Sequence, residues 1–251
     1  MTAPDQIAQL RPVFWNPVRV ASETCAVCTT PVGGYPRCYA CNEHARGSSL
    51  LANLVAPLTY AVKGEQAYRD LSIYKDDRYD ASAQTAARDR IWNLLYASMS
   101  THLICIARAG GANLAVAMVP STNGSRPGQH PLAHMLKMFG QEINRIDLHY
   151  VGSDGLERNA RRELNPSSFD VVLPSSVAGK HVLLIDDSWV KGGHMQSCAA
   201  ALRSAGASWV TAVPIGRVLV ADFRDTVEFM AGHKIRTFDP DVCPISGLAH
   251  G

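Results

Sequence analysis

Two stretches of this chain hold residue types whose spacing can do chemistry. Four of its seven cysteines stand as Cys25-Ala-Val-Cys28 and Cys38-Tyr-Ala-Cys41, two C-x-x-C pairs joined by a linker that carries Gly33, Gly34 and Pro36 as turn residues. Four thiolates suit a tetrahedral Zn²⁺ in a structural site closed to water. A redox pair or an iron–sulfur cluster would use the same ligands; His44 could replace one of them, the plainer expectation being a surface histidine. Cys105 and Cys198 fall on helical stretches and are expected in the core, while Cys243 has no assignment.

The second stretch runs from His181 to Ser197. An apolar run, Val182–Ile185, delivers two adjacent carboxylates, Asp186 and Asp187, where a strand of an open α/β sheet would end and ligands bind. Ser188, Val190, Lys191, Gly192, Gly193 and His194 follow as a turn into a helix. The first N–H groups of a helix lack internal partners, and its dipole favours an anion, so such a turn can close on a phosphate. Ionised carboxylates accept hydrogen bonds and suit the diol of a sugar. The plainer alternative is a sheet-end turn with two surface acids.

The elements that must position these groups can be read from periodicity. Residues 1–47 are rich in Pro, Gly and Cys and read as a metal-held knuckle or ribbon that needs no large core. Residues 48–251 read as the main domain, with a helical lead-in over 48–110 and an α/β core over 111–251. In the lead-in, Ser48–Tyr60 and Ala81–Ala109 show helical spacing, and Tyr60–Gly64 punctuates them. In the core, strands are expected at Leu114–Val119, Phe169–Leu173, His181–Ile185 and Trp209–Pro214. Helices are expected from Pro131 to about Ile143 and at His194–Ala205, with an Arg-rich connection over Ser153–Ser168. Strand–helix alternation predicts a parallel sheet flanked by helices.

Bulk properties fit a globular chain. Its 251 residues are 47% hydrophobic and 18% charged, and a formal net charge of +2 does not argue for nucleic acid or an anionic membrane as partner. No basic, apolar signal peptide opens the sequence and no apolar run is long enough to span a bilayer, so a cytoplasmic location is expected.

The strand, acid pair and Gly-containing turn together resemble the fingerprint of type I phosphoribosyltransferases, and with the four-cysteine knuckle they resemble the ComF-like members of that family. Shorter matches are Tyr60-Ala-Val-Lys63-Gly64, Val119-Pro120-Ser121, Arg126–Ala133 and Arg162-Glu-Leu-Asn165 ahead of Phe169. The resemblance implies a type I phosphoribosyltransferase-like α/β fold with a small N-terminal zinc ribbon. It implies that Asp186 and Asp187 hold the ribose 2- and 3-hydroxyls and that the turn from Val190 to His194 wraps the 5-phosphate. Val190, Lys191 and His194 replace the hydroxyl residues of the family loop. It further implies phosphoribosyl pyrophosphate with Mg²⁺ as substrate and displacement of pyrophosphate at C1 by an acceptor left open. Ser121 and Thr122 would then offer donors to pyrophosphate, and Arg158, Arg161 and Arg162 would clamp it, unless those arginines form an ordinary solvated loop. The alternative implied by the same resemblance is a non-catalytic binding module acting with single-stranded DNA or a protein partner.

Overall fold

A computed structural model describes residues 3–121, 130–140, 143–152 and 163–250. Six strands form one parallel sheet: β1 (Leu54–Val55) and β2 (Thr59–Val62) share one side of β8 (Trp209–Leu219), followed by β7 (His181–Trp189), β3 (Leu114–Met118) and β4 (Asn144–Ile146). A separate antiparallel pair, β5 (Leu148–Tyr150) with β6 (Phe169–Val171), stands beside it. The expected parallel α/β architecture is therefore present.

The helices divide between the two faces. On one lie α1 (Ala3–Leu10), α3 (Gln66–Ile73), α4 (Ala81–Gly110) and α5 (Pro131–Met135), whose Leu71, Ile91, Leu94, Leu95 and Leu132 pack with Leu183, Ile185 and Val213 of the sheet. On the other, α6 (Gly193–Ser204) sets Met195, Cys198, Ala199 and Leu202 against Val182, Leu184 and Ala212, together with Cys25, Cys28 and Cys41 from the N-terminal segment. That segment contains α2 (Tyr39–Gly47). At the β2 edge, α7 (Arg224–Gly232) contributes Phe229 to a small cluster with Trp15, Tyr60 and Leu219.

Several boundaries differ from expectation. Ser48–Tyr60 is not helical: Leu54–Val55 and Thr59–Val62 pair with β8 on either side of Pro57, which cannot donate to a ladder. Tyr60–Val62 is thus a buried strand rather than polar punctuation, and only Lys63-Gly64 turns. The helix from Pro131 is one short turn that tightens into a 3₁₀ segment and stops at Gly140, whose φ is 74°. β6 ends at Val171, α6 begins at Gly193, and α3, β4 and β5 carried too few residues to show a period.

The two central strands are longer than expected. β7 continues through both acids to Trp189, and β8 runs past Pro214 to Leu219. Pro214 is tolerated because its carbonyl, and with it the missing N–H, faces the break between β1 and β2, where Leu58 N–H donates to Pro214 O at 3.1 Å.

Among the described residues, no helix is long and apolar enough to cross a membrane.

Candidate functional site

All strands of the main sheet are parallel, so their carboxyl ends share one edge. The chain leaves β3 through α5 on one face to reach β4. It leaves β7 through α6 on the opposite face to reach β8. Strand order therefore reverses between β3 and β7, and a crevice opens at the carboxyl ends of strands whose connections part in this way. Pro120 and Ser121 stand on one side of that point, Asp186 and the turn into α6 on the other.

Successive strand residues point to opposite faces, and the two acids do so. Asp187 points toward α3: its Oδ2 accepts from the Tyr74 hydroxyl at 2.9 Å and is ion-paired with Lys75 Nζ. The two donors are well anchored. Asp70 is fully buried and takes a two-pronged bond from Arg90, at 2.7 Å on each oxygen, while Arg88 Nε donates to Tyr74 O at 2.8 Å. Burial works against charge on Asp187, but Lys75 and hydrogen bonds from Ser188 and Tyr74 overcome it and hold the carboxyl below its ordinary range. Asp186 lies toward α6, within electrostatic reach of Cys198, and its Oδ1 accepts from Asp187 N–H at 2.8 Å. Burial first, then the neighbouring charge of Asp187, push it well above the carboxylate range. The surroundings of β7 thus push its two acids in opposite directions, Asp187 toward the charged form and Asp186 toward the protonated one.

Beyond Trp189 the chain turns sharply. Val190 and Lys191 are exposed, Gly192 adopts φ 86° as the cap of α6, and Gly193 is buried as its first residue. Arg217, itself buried, lies under this turn: Nη1 donates to Trp189 O at 3.0 Å and Val190 O at 3.1 Å. Ser197 donates to Gly193 O at 2.7 Å and receives Asn165 N–H at 2.8 Å, fastening the start of α6 to the segment before β6. The hydrogen-bond ladder of α6 opens with Gln196 N–H, which donates to Gly192 O at 2.9 Å.

A cleft of about 500 Å³ lies beside the end of β3, lined by Pro120, Ser121 and the β5 segment from Leu148 to Gly152. It adjoins the turn through a relay of rings: Tyr150 and Phe169 have centroids 5.4 Å apart, and Phe169 meets His194 edge-on at 6.1 Å. Asp186, Asp187, Ser188, Val190–His194 and Ser121 are thus gathered at one end of the sheet. Thr122, Arg158, Arg161 and Arg162, and most of the Arg126–Ala133 motif, lie outside the described residues.

The sequence reading missed Tyr74, Lys75 and Arg217. Lys75 meets Asp187 across 112 positions of sequence, a separation that periodicity cannot bridge. Arg217 was hidden because Pro214 looks like a strand end.

The four N-terminal cysteines come together. Their sulfurs all lie within 4.8 Å of one another, with Cys28 and Cys38 at 3.7 Å. A tetrahedral ion with Zn–S bonds of about 2.3 Å sets its sulfurs about 3.8 Å apart, so the group fits. Hydrogen bonds from Cys28, Cys38 and Cys41 pull the Cys25 thiol far down, while bonding to Cys25, Cys28 and Cys38 pushes Cys41 far up. Thiolates this close repel one another, and a bound cation would offset that repulsion. Cys25 N–H donates to Thr30 O at 2.8 Å and Thr29, at φ 58°, closes the turn; Cys38 caps α2 and Cys41 lies in its first turn. His44 neither joins the cluster nor stands on the surface: it is buried on the inner side of α2. Cys198 is core as expected, whereas Cys105 is only half-buried and belongs to a second cluster described below.

No protein-family profile and no curated protein matches this chain. Among solved structures, two crystal forms of a hypoxanthine phosphoribosyltransferase from Staphylococcus aureus are similar to it. The tetragonal form is 12% identical with a TM-score of 0.33, covering 54% of this chain and 76% of that one. The orthorhombic form is 13% identical with a TM-score of 0.32, covering 54% and 77%.

Proposed function

We propose that this chain binds phosphoribosyl pyrophosphate, or a related ribose 5-phosphate compound, at the carboxyl edge of its sheet between β3 and β7. The observation that carries this reading is the coincidence of a strand-order reversal with the Gly192 turn into α6. The 5-phosphate would take the N–H groups from Val190 to His194, with the exposed Lys191 adding a positive charge. Ribose hydroxyls would meet the tip of β7, where Asp187 is an oriented acceptor favoured in its charged form and burial of Asp186 favours the protonated form that could donate. Ser121 lines the adjoining cleft, placed to offer a donor to pyrophosphate, whose charge Mg²⁺ would share. Transfer to an acceptor would then displace pyrophosphate at C1 through a transition state with positive charge on the sugar.

One observation favours a second reading, binding without transfer. Asp187 Oδ2 is already committed to Tyr74 and Lys75, and the acids face opposite sides of the sheet. A ligand must share that ion pair or recruit Lys75 to itself.

The test is thermal melting of the full chain with phosphoribosyl pyrophosphate and MgCl₂. Ligand at a hundred times its Kd adds about 2.7 kcal/mol, which at about 2–4 °C per kcal/mol raises Tm by roughly 5–11 °C. Asp187→Asn should shrink that gain, and an unmoved wild-type melt at saturating ligand rejects the site. Pyrophosphate release over a panel of bases and amines separates transfer from binding alone.

A further inference from the structure

We infer that the chain has a second structural metal site, a tetrahedral Zn²⁺ held by His102, Cys105, Cys243 and His250. Their ligand atoms all lie within 4.8 Å of one another. His102 and Cys105 are three residues apart on α4, which sets them on one face of the helix. Cys243 and His250 come from the C-terminal segment. Two thiolates and two imidazoles form a ligand set that zinc takes in closed structural sites.

Three features go beyond proximity. First, the backbone at Cys243 repeats the backbone at Cys25. Cys25 N–H donates to the carbonyl five residues on (Thr30, 2.8 Å), and Thr29 N–H, four on, returns to Cys25 O at 2.9 Å. Cys243 N–H donates to Leu248 O at 2.9 Å, and Gly247 N–H returns to Cys243 O at 2.8 Å. In both turns the residue four on has positive φ, 58° at Thr29 and 74° at Gly247. Both are closed by an antiparallel bridge between the residue before the cysteine and the residue six after it, Thr24 with Pro31 and Val242 with Ala249. The chain builds the same cysteine-presenting turn twice.

Second, His102 is almost fully buried and its Nε2 lies 2.7 Å from Pro240 O. A carbonyl can only accept, so Nε2 carries the proton and Nδ1 keeps its lone pair, the tautomer a metal requires. Third, the distances bracket a coordination edge. Cys105 Sγ is 3.1 Å from His250 Nε2 and 4.0 Å from His102 Nδ1; a zinc ion with Zn–S of about 2.3 Å and Zn–N of about 2.05 Å sets sulfur and nitrogen about 3.6 Å apart.

Such an ion would pin residues 239–250 to α4. It would also tie that segment to the first cluster through Arg19, whose Nε donates to Pro244 O at 2.9 Å and whose Nη2 donates to Val55 O at 2.6 Å. The guanidinium lies within electrostatic reach of Cys243, Cys28 and Cys25.

Elemental analysis of the full chain, purified with zinc present and dialysed free of excess, tests this. About two zinc ions per chain are expected, falling to about one in Cys243→Ser and to about one in Cys28→Ser. His250→Ala removes the exposed ligand with least risk to folding and should speed release of one zinc to a chelator at least tenfold. In Cys28→Ser loaded with Co²⁺, the d–d bands should be those of a two-thiolate, two-imidazole ion, at shorter wavelength than a four-thiolate one. One zinc per chain, indifferent to Cys243→Ser and His250→Ala, would overturn the inference. So would a Cys105–Cys243 disulfide in the purified protein.

Discussion

The indole of Trp189 occupies the space that a side chain on Gly192 would need: a Cβ built there would stand 2.1 Å from the ring. The same glycine has φ 86°, a left-handed backbone that side-chain-bearing residues adopt only at a cost. Two independent constraints therefore fix one residue at the point where β7 becomes α6. Arg217 holds the turn from beneath.

Gly192→Ala should lose roughly 1–2 kcal/mol for the left-handed backbone and roughly 1–3 kcal/mol for the overlap with Trp189. Chemical denaturation should show a loss of about 2–5 kcal/mol, and any binding of ribose 5-phosphate should fall with it. A variant as stable as wild type would mean that the turn and the ring are not packed in this way.

How far the sequence could be read depended on the range of the interaction. The parallel α/β architecture, the N-terminal cysteine cluster, α4 and the Gly192–Gly193 turn were legible because each rests on local spacing. Asp80 illustrates this: it caps α4 by accepting from Ser82 and Ala83 N–H, both at 3.0 Å, a pattern contained in four residues. The engagement of Asp187 by Tyr74 and Lys75 was not legible, since it joins strand to helix across the core. Pro214 misled the end of β8 because it breaks a local pattern that the tertiary structure accommodates, and the spacing of Leu50, Leu51, Leu54 and Val55 imitated a helix where β1 and β2 flank Pro57. Cys243 looked solitary for the same reason, its neighbours Cys105 and His102 being about 140 positions away.

Asp186 should make stability depend on pH in a particular direction. Its folded pKa is raised by burial and by Asp187, whereas in the unfolded chain it titrates near 3.9. Between those values the folded state holds a proton that the unfolded state has lost, so this group's contribution falls as pH rises from about 4 toward the folded pKa. Asp187, whose folded pKa is depressed, acts the other way, its contribution present above about pH 3.9 and lost as pH falls through its folded value. Asp186→Asn cannot ionise and removes the first slope. Its Tm should equal that of wild type near pH 4 and stand above it by a margin that widens as pH rises toward 7. Calorimetry at pH 4, 5.5 and 7 measures the gap. Parallel curves would show that Asp186 is ionised in the folded chain.

The first cysteine cluster is fastened to the sheet by a buried hydroxyl. Tyr60 on β2 donates to Thr29 O at 2.6 Å, and burial keeps the phenol protonated by raising its pKa. Thr29 closes the turn that presents Cys25 and Cys28, so the hydroxyl bears on the ligand geometry as well as on stability. Tyr60→Phe leaves the Thr29 carbonyl without that donor, a loss of roughly 1–3 kcal/mol, or about 2–12 °C in Tm at about 2–4 °C per kcal/mol. Because the lost contact steadies the folded turn, zinc at Cys25, Cys28, Cys38 and Cys41 should also pass to a competing chelator faster than in wild type. Zinc release, followed by a chromogenic chelator alongside the melt, distinguishes the two effects. A lowered Tm with an unchanged release rate would mean that Tyr60 braces the sheet edge without shaping the metal site.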